Sequence, residues 1–125
     1  MRPILPALLL ALLLPVAPAR STELHCLGTE RFFILLLDGD VARFDYLGDG
    51  VFPLTPALPD TLPDFLRLSL GAYAGPIPVF LERGACPITA RGLPLSLPWR
   101  VELGIETLGV QQPMTGCCRE AGENR

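Results

Sequence analysis

The chain has no lysine. All ten of its basic side chains are arginines, and they are outnumbered by 13 carboxylates, for a formal net charge of −3. That balance favours neither a nucleic-acid partner, which needs a basic stripe or patch, nor an anionic membrane surface, and no nucleic acid is expected as a partner. We read the missing lysine as the coding bias of a GC-rich bacterial genome. Histidine occurs once, at His25, and tryptophan once, at Trp99. One histidine is poor provision for a zinc site or for acid–base catalysis. The Cys-x-x-Cys spacing of a thiol-redox motif is absent. Asp38, Asp40, Asp45 and Asp49 lack the spacing of a calcium loop and fall instead where turns are expected. After residue 20 there is no apolar stripe of helical period, no βαβ spacing and no internal repeat. The sequence therefore offers no catalytic residue, no metal ligand set and no cofactor motif, and the expectation is a protein that is not an enzyme.

What is present begins with a leader. Arg2 precedes an apolar run from Leu5 to Leu14, and Ala17-Pro18-Ala19 follows as a cleavage site, so residues 1–19 read as a signal peptide. The run is too short to span a bilayer, which takes roughly 20 apolar residues, and no membrane span is expected after cleavage. No cysteine stands where a lipoprotein would need one. Cleavage removes one positive charge, so −3 becomes −4. Residues 20–119 are expected to form a single β domain, and residues 120–125 a disordered tail. Four cysteines behind a leader imply an oxidising compartment, periplasmic or extracellular, and two disulfides.

The periodicity is two, punctuated by proline and glycine. Arg31–Leu37 is almost wholly apolar, as a strand covered on both faces would be. Asp38-Gly39-Asp40 reads as a hairpin turn, and Ala42, Phe44 and Tyr46 alternate with polar residues on the returning strand. Gly48-Asp49-Gly50 is a second turn. Residues 51–63 carry four prolines and read as a connection outside the sheet. Phe65–Leu70 alternates again, and Gly75-Pro76 breaks it. Ile77–Glu82 reads as an edge strand because of Pro78, and residues 83–87 as another loop. The clearest alternation is Leu93, Leu95, Leu97, Trp99, Val101, Leu103 and Ile105, with one face expected in the core and the other in water. A last short strand is expected within residues 108–118. The sum is an all-β fold, a small antiparallel β-barrel or sandwich of seven to eight short strands, stapled by disulfides.

The cysteines are Cys26, Cys86, Cys117 and Cys118. A Cys117–Cys118 bond would make a strained vicinal ring. Each of the other two pairings ties Cys26 to one member of the adjacent pair and Cys86 to the other. Neighbours on a strand point to opposite faces, so Cys117 and Cys118 should reach different partners on different sides. Either pairing encloses loops for which chain entropy gives roughly 3–5 kcal/mol per bond, comparable to the whole net stability of a small domain.

The stretch Cys26-Leu27-Gly28-Thr29-Glu30-Arg31-Phe32-Phe33 resembles the C-x-G-T-E-P-F-W signature of a family of short secreted bacterial proteins, of the kind described as predicted membrane proteins or lipoproteins. Cys86, Leu97-Pro98 and Gly116-Cys117-Cys118 fall, in order, where that family carries a second cysteine, a Tyr-Pro pair and a C-terminal Gly-Cys. Arg31 stands in place of the family's Pro, Phe33 in place of its Trp, and residues 87–92 in place of an acidic run. The resemblance implies a small periplasmic β-domain, akin to META-type domains and lysozyme-inhibitor-like barrels, with Gly28, Thr29, Glu30, Phe32 and Phe33 as signature positions. It implies no activity.

The expected role is binding, with an unidentified protein or envelope component as partner. Glu30 is expected to be a carboxylate held by backbone donors or arginine, and Trp99 a core residue. The proline-rich stretch with Phe52, Tyr73 and Phe80 is a candidate surface. Two alternatives remain open. One is a lysozyme-inhibitor-like protein, which needs a protruding loop with polar groups. The other is a soft-metal binder using the Cys117-Cys118 sulfurs with Met114 and His25.

Overall fold

The computed structural model describes residues 22–46, 48–72, 75–104 and 112–121. The leader, Tyr73, Ile105 and most of the tail lie outside the described residues. Eight strands form a closed antiparallel barrel in sequence order: β1 (Glu23–Gly28), β2 (Ile34–Asp38), β3 (Val41–Asp45), β4 (Asp49–Thr55), β5 (Phe65–Ala72), β6 (Gly75–Ala90), β7 (Leu93–Leu103) and β8 (Met114–Glu120). Of the two architectures left open by the sequence, the structure is the barrel. β8 returns to β1 and closes it, with Cys26 opposite Cys118. Glu120, placed in the tail by the sequence reading, ends β8.

Alternation builds the interior. Leu24 and Cys26, Leu35 and Leu37, Ala42 and Phe44, Leu68 and Leu70, and Ile77, Val79 and Leu81 are all buried, as are Trp99, Val101 and Leu103. An eight-stranded barrel is just wide enough for its own side chains to fill, and Trp99 and Phe33 are the largest of those fully enclosed. The Asp38-Gly39-Asp40 turn is where the sequence places it, with Gly39 at φ 60° and Asp38 opposite Val41. Trp99 is core as expected. The Arg83 guanidinium lies 4.4 Å above its ring, while the indole Nε1 has no acceptor among the described residues.

Several expectations are corrected. The apolar run at Arg31–Leu37 is not one strand, because a turn precedes Ile34 and only alternate residues of β2 are fully buried. Residues 51–55 belong to β4, so Pro53 sits in the barrel wall. A hydrogen-bonded pair exchanges two N–H bonds and proline has none. Val41–Pro53 is therefore a non-hydrogen-bonded pair, and the Pro53 nitrogen turns toward β5, where pairing is confined to Leu54–Leu70 and Thr55–Ser69. Ile77–Glu82 is not an edge: it lies inside the 16-residue β6, between β5 and β7. Pro78 is tolerated because its carbonyl still accepts from the Gly104 N–H at 3.0 Å where the β6–β7 ladder ends. Residues 83–87 are not a loop either; the register shifts between Arg83 and Cys86, a bulge within a continuing strand.

The true connection is residues 56–64, and it closes one end of the barrel. Leu58 and Leu62 are buried there. The Leu58 N–H donates to the Gly39 carbonyl at 2.7 Å, and Arg83 ties the segment down through Leu62 O at 3.2 Å and the Asp64 carboxylate at 3.1 Å.

Candidate functional site

The two disulfides serve different places. Alternation along β8 turns Cys118 into the core, where it bonds Cys26 across the β1–β8 seam. Cys117 faces outward, opposite Leu27, and bonds Cys86. Both predicted features, two bonds and different sides for the adjacent pair, are present.

Cys86 lies just past the bulge in β6. From there β6 and β7 continue as a two-stranded ribbon, paired from Cys86–Leu97 to Ala90–Leu93, beyond the stretch in which β7 meets β8. The ribbon leaves the wall and is held against the outer face of β8. Cys86 Sγ lies 3.4 Å from the Gly116 carbonyl oxygen, and Cys117 Sγ 3.5 Å from that of Pro87. Arg100 braces the bulge from below with two bonds to the Ala85 carbonyl, at 3.2 and 3.0 Å. The turn at the ribbon's tip is Arg91-Gly92, both at positive φ.

The face of the ribbon that carries Cys86 also carries Ile88, Leu95 and Leu97, by register. Opposite it stand Leu27 and the β1–β2 turn. An open cleft of about 550 Å³ separates them, lined by Leu27, Thr29 and Phe32 on the barrel side and Pro87, Ile88 and Leu95 on the ribbon. No ionisable side chain lines it. Phe32 is 72 % exposed, Leu95 48 % and Leu93, at the tip, 65 %. The long alternation of β7 is therefore half core and half surface, against the expectation of one continuous core face. Contiguous exposed apolar side chains of this kind mark interaction surfaces.

The signature residues build the barrel side of this cleft. A side chain at Gly28 would collide with the Phe33 ring at 2.5 Å, and one at Gly116 would meet it at 3.0 Å. These two glycines leave room for Phe33 to enter the barrel, edge-on to Phe44 at 6.1 Å. The Gly28 N–H donates to Phe33 O at 2.9 Å and the Thr29 N–H to Thr115 O at 3.0 Å. The Thr29 hydroxyl lies 3.1 Å from the same Thr115 oxygen, clasping the turn to β8. Phe33 inside forces its neighbour Phe32 outside. Glu30 is exposed on the turn, and among the described residues no hydrogen bond or ion pair engages it. The held carboxylate expected at Glu30 is not what the structure shows.

The other candidates lie elsewhere. Phe52 and Phe80 are half-buried, Phe52 against the core and Phe80 beneath Arg67 at 5.4 Å; Tyr73 lies outside the described residues. His25 is on the outer wall, 3.3 Å from Glu23. Met114 is buried inside. The structure does not bring His25, Met114 and the Cys117-Cys118 sulfurs together as ligands: all four cysteine sulfurs are in disulfides, and among the described residues no group of three or more His, Cys, Asp or Glu side chains could hold a metal. Beside Glu23, partial desolvation and the nearby carboxylates of Glu23 and Asp40 raise the Asp38 pKa above its ordinary value.

No family model, no curated protein and no solved structure matches this chain.

Proposed function

We propose that this chain is a secreted or periplasmic, non-enzymatic binding protein of the short bacterial family its signature resembles, and that it binds through the apolar cleft between the β6–β7 ribbon and the β1–β2 turn. The observation that carries this reading is the exposure of Phe32, Leu93 and Leu95 around a cleft with no ionisable lining. Leaving such residues in water forgoes about 1.5–3 kcal/mol each relative to burial, so a protein that keeps them out gains when something covers them. Two closed disulfides support an oxidising compartment. A lysozyme-inhibitor role finds less support, because the ribbon turns Ile88, Leu95 and Leu97 to the cleft and carries a single charged side chain, Arg91 at its tip.

The test is an apolar-surface dye of the anilinonaphthalene type, titrated into the purified protein, its Phe32→Ser and Leu95→Ser variants and a remote control, Val51→Ser, an exposed position that shares no lining residue with the cleft. The reading expects saturable dye fluorescence that falls in both cleft variants and stays in the control, at unchanged melting temperature. Equal fluorescence in all four proteins would overturn it.

A further inference from the structure

We infer that the surface covering this cleft is an anionic phospholipid bilayer, which Phe32 and Leu93 enter from two adjacent tips. The inference rests on the binding reading above and names its partner.

Three observations point there. The first is shape. Phe32 and Leu93 are the most exposed large apolar side chains described; Phe32 stands on the β1–β2 turn at the mouth of the cleft and Leu93 opens β7 directly after the Arg91-Gly92 tip. A protein partner favours a recess that its own side chain fills. A bilayer interface instead takes up protruding apolar tips to a depth of about 5–10 Å.

The second is charge. Each anchor sits beside an arginine: Arg31 precedes Phe32, and Arg91-Gly92 precedes Leu93. Residues 83–101 hold three arginines and no acidic residue, in a chain where carboxylates outnumber arginines. Arg83 and Arg100 are engaged within the fold, by Asp64 and by Ala85. Arg91 and Arg31 are exposed and have no partner among the described residues. Glu30 is the one carboxylate on either tip, which leaves the two tips with one positive charge in excess, while Glu82 and Glu102 lie farther along the strands in the neighbouring groove. The net acidity of the chain is felt weakly there, because screening limits its reach to about 8–10 Å in physiological salt. A guanidinium next to an apolar anchor can stay at the phosphates while the anchor passes below them.

The third concerns the ribbon edges. Pro87 pairs with Ser96 and Pro94 with Thr89, one class of the β6–β7 ladder, and Pro98 continues it four residues on. Proline has no N–H, so this is the non-hydrogen-bonded class, whose nitrogens face out from the ribbon. Each edge therefore loses an outward donor, at Pro87 on β6 and at Pro94 and Pro98 on β7, and keeps only those of Thr89 and Ser96 between them, which weakens strand addition by a peptide or a second copy.

The experiment is flotation of the full secreted chain with vesicles of phosphatidylcholine alone and with an equal part of phosphatidylglycerol. The native protein is expected to float with the anionic vesicles and to release in high salt. Arg91→Ala should weaken partitioning about fivefold, and Phe32→Ser by roughly tenfold or more. Absence of flotation, equal flotation with the neutral vesicles, or variants that float like the native chain would each overturn the inference. If dye still binds the cleft when vesicles do not, the lipid partner is wrong and the binding reading stands. If neither binds, both fall. A native dimer in sedimentation that Phe32→Ser dissociates would overturn the lipid in favour of a second copy.

Discussion

Removing the two disulfides one at a time should give two different proteins. In the Cys86→Ala/Cys117→Ala variant, the bond lost spans 31 residues and lies outside the barrel wall. In Cys26→Ala/Cys118→Ala it spans 92 and lies in the core across the seam that closes the barrel. Chain entropy alone gives about 3.7 kcal/mol for the first and about 4.6 kcal/mol for the second. The shorter loop is nested within the longer, which trims its share further while the outer bond is intact. The second variant also leaves a cavity where two sulfurs were packed, adding to its cost. Trp99 is the only tryptophan and is fully buried, so its emission reports the core. Urea unfolding followed at Trp99 should show the Cys86/Cys117 variant folded and cooperative, with native emission and a lowered midpoint, but without dye binding at the cleft, since the ribbon is no longer held. The Cys26/Cys118 variant should shift its emission to the red or fail to fold. A Cys86/Cys117 variant that loses its core emission as fully as the other, or that keeps cleft binding, would refute the division of labour.

Phe32 and Phe33 should respond oppositely to substitution. Phe33→Ala empties a fully buried site and is expected to cost about 3–5 kcal/mol in unfolding free energy; Phe32→Ala should stay within about 0.5 kcal/mol. Asp38→Asn should stabilise the protein at neutral pH by about 0.2–1 kcal/mol, toward the low end because Asp38 is exposed. A carboxyl whose folded pKa is raised favours the folded state when protonated. Stability is therefore lost as pH rises from the ordinary carboxyl range through the raised value, and the gain from Asp38→Asn should vanish in melting curves recorded below both.

Much of the barrel was legible in local pattern. Alternation gave the inward residues of β3 and β5, Asp38-Gly39-Asp40 gave a turn, and the adjacent cysteines required two opposite faces. The ribbon was not legible, because Leu93 through Leu103 alternates identically whether its apolar face meets the core or the open cleft. The prolines misled for a related reason. Pro53 and Pro78 look like breaks to a reader who cannot see which way each nitrogen points, and ring closure removes the edges that proline usually marks. Which of Phe32 and Phe33 enters the barrel depends on space above Gly28 and Gly116, residues 88 positions apart in the chain. Nothing in the local sequence joins them.

The most direct measurement is an amide chemical-shift map of the protein titrated with the same apolar dye. The account predicts shifts confined to residues 27–32 and 86–96, the two sides of the cleft. Shifts centred instead on the outer face around Phe80 and Arg100, or on the wall around Glu23 and Asp38, would contradict it.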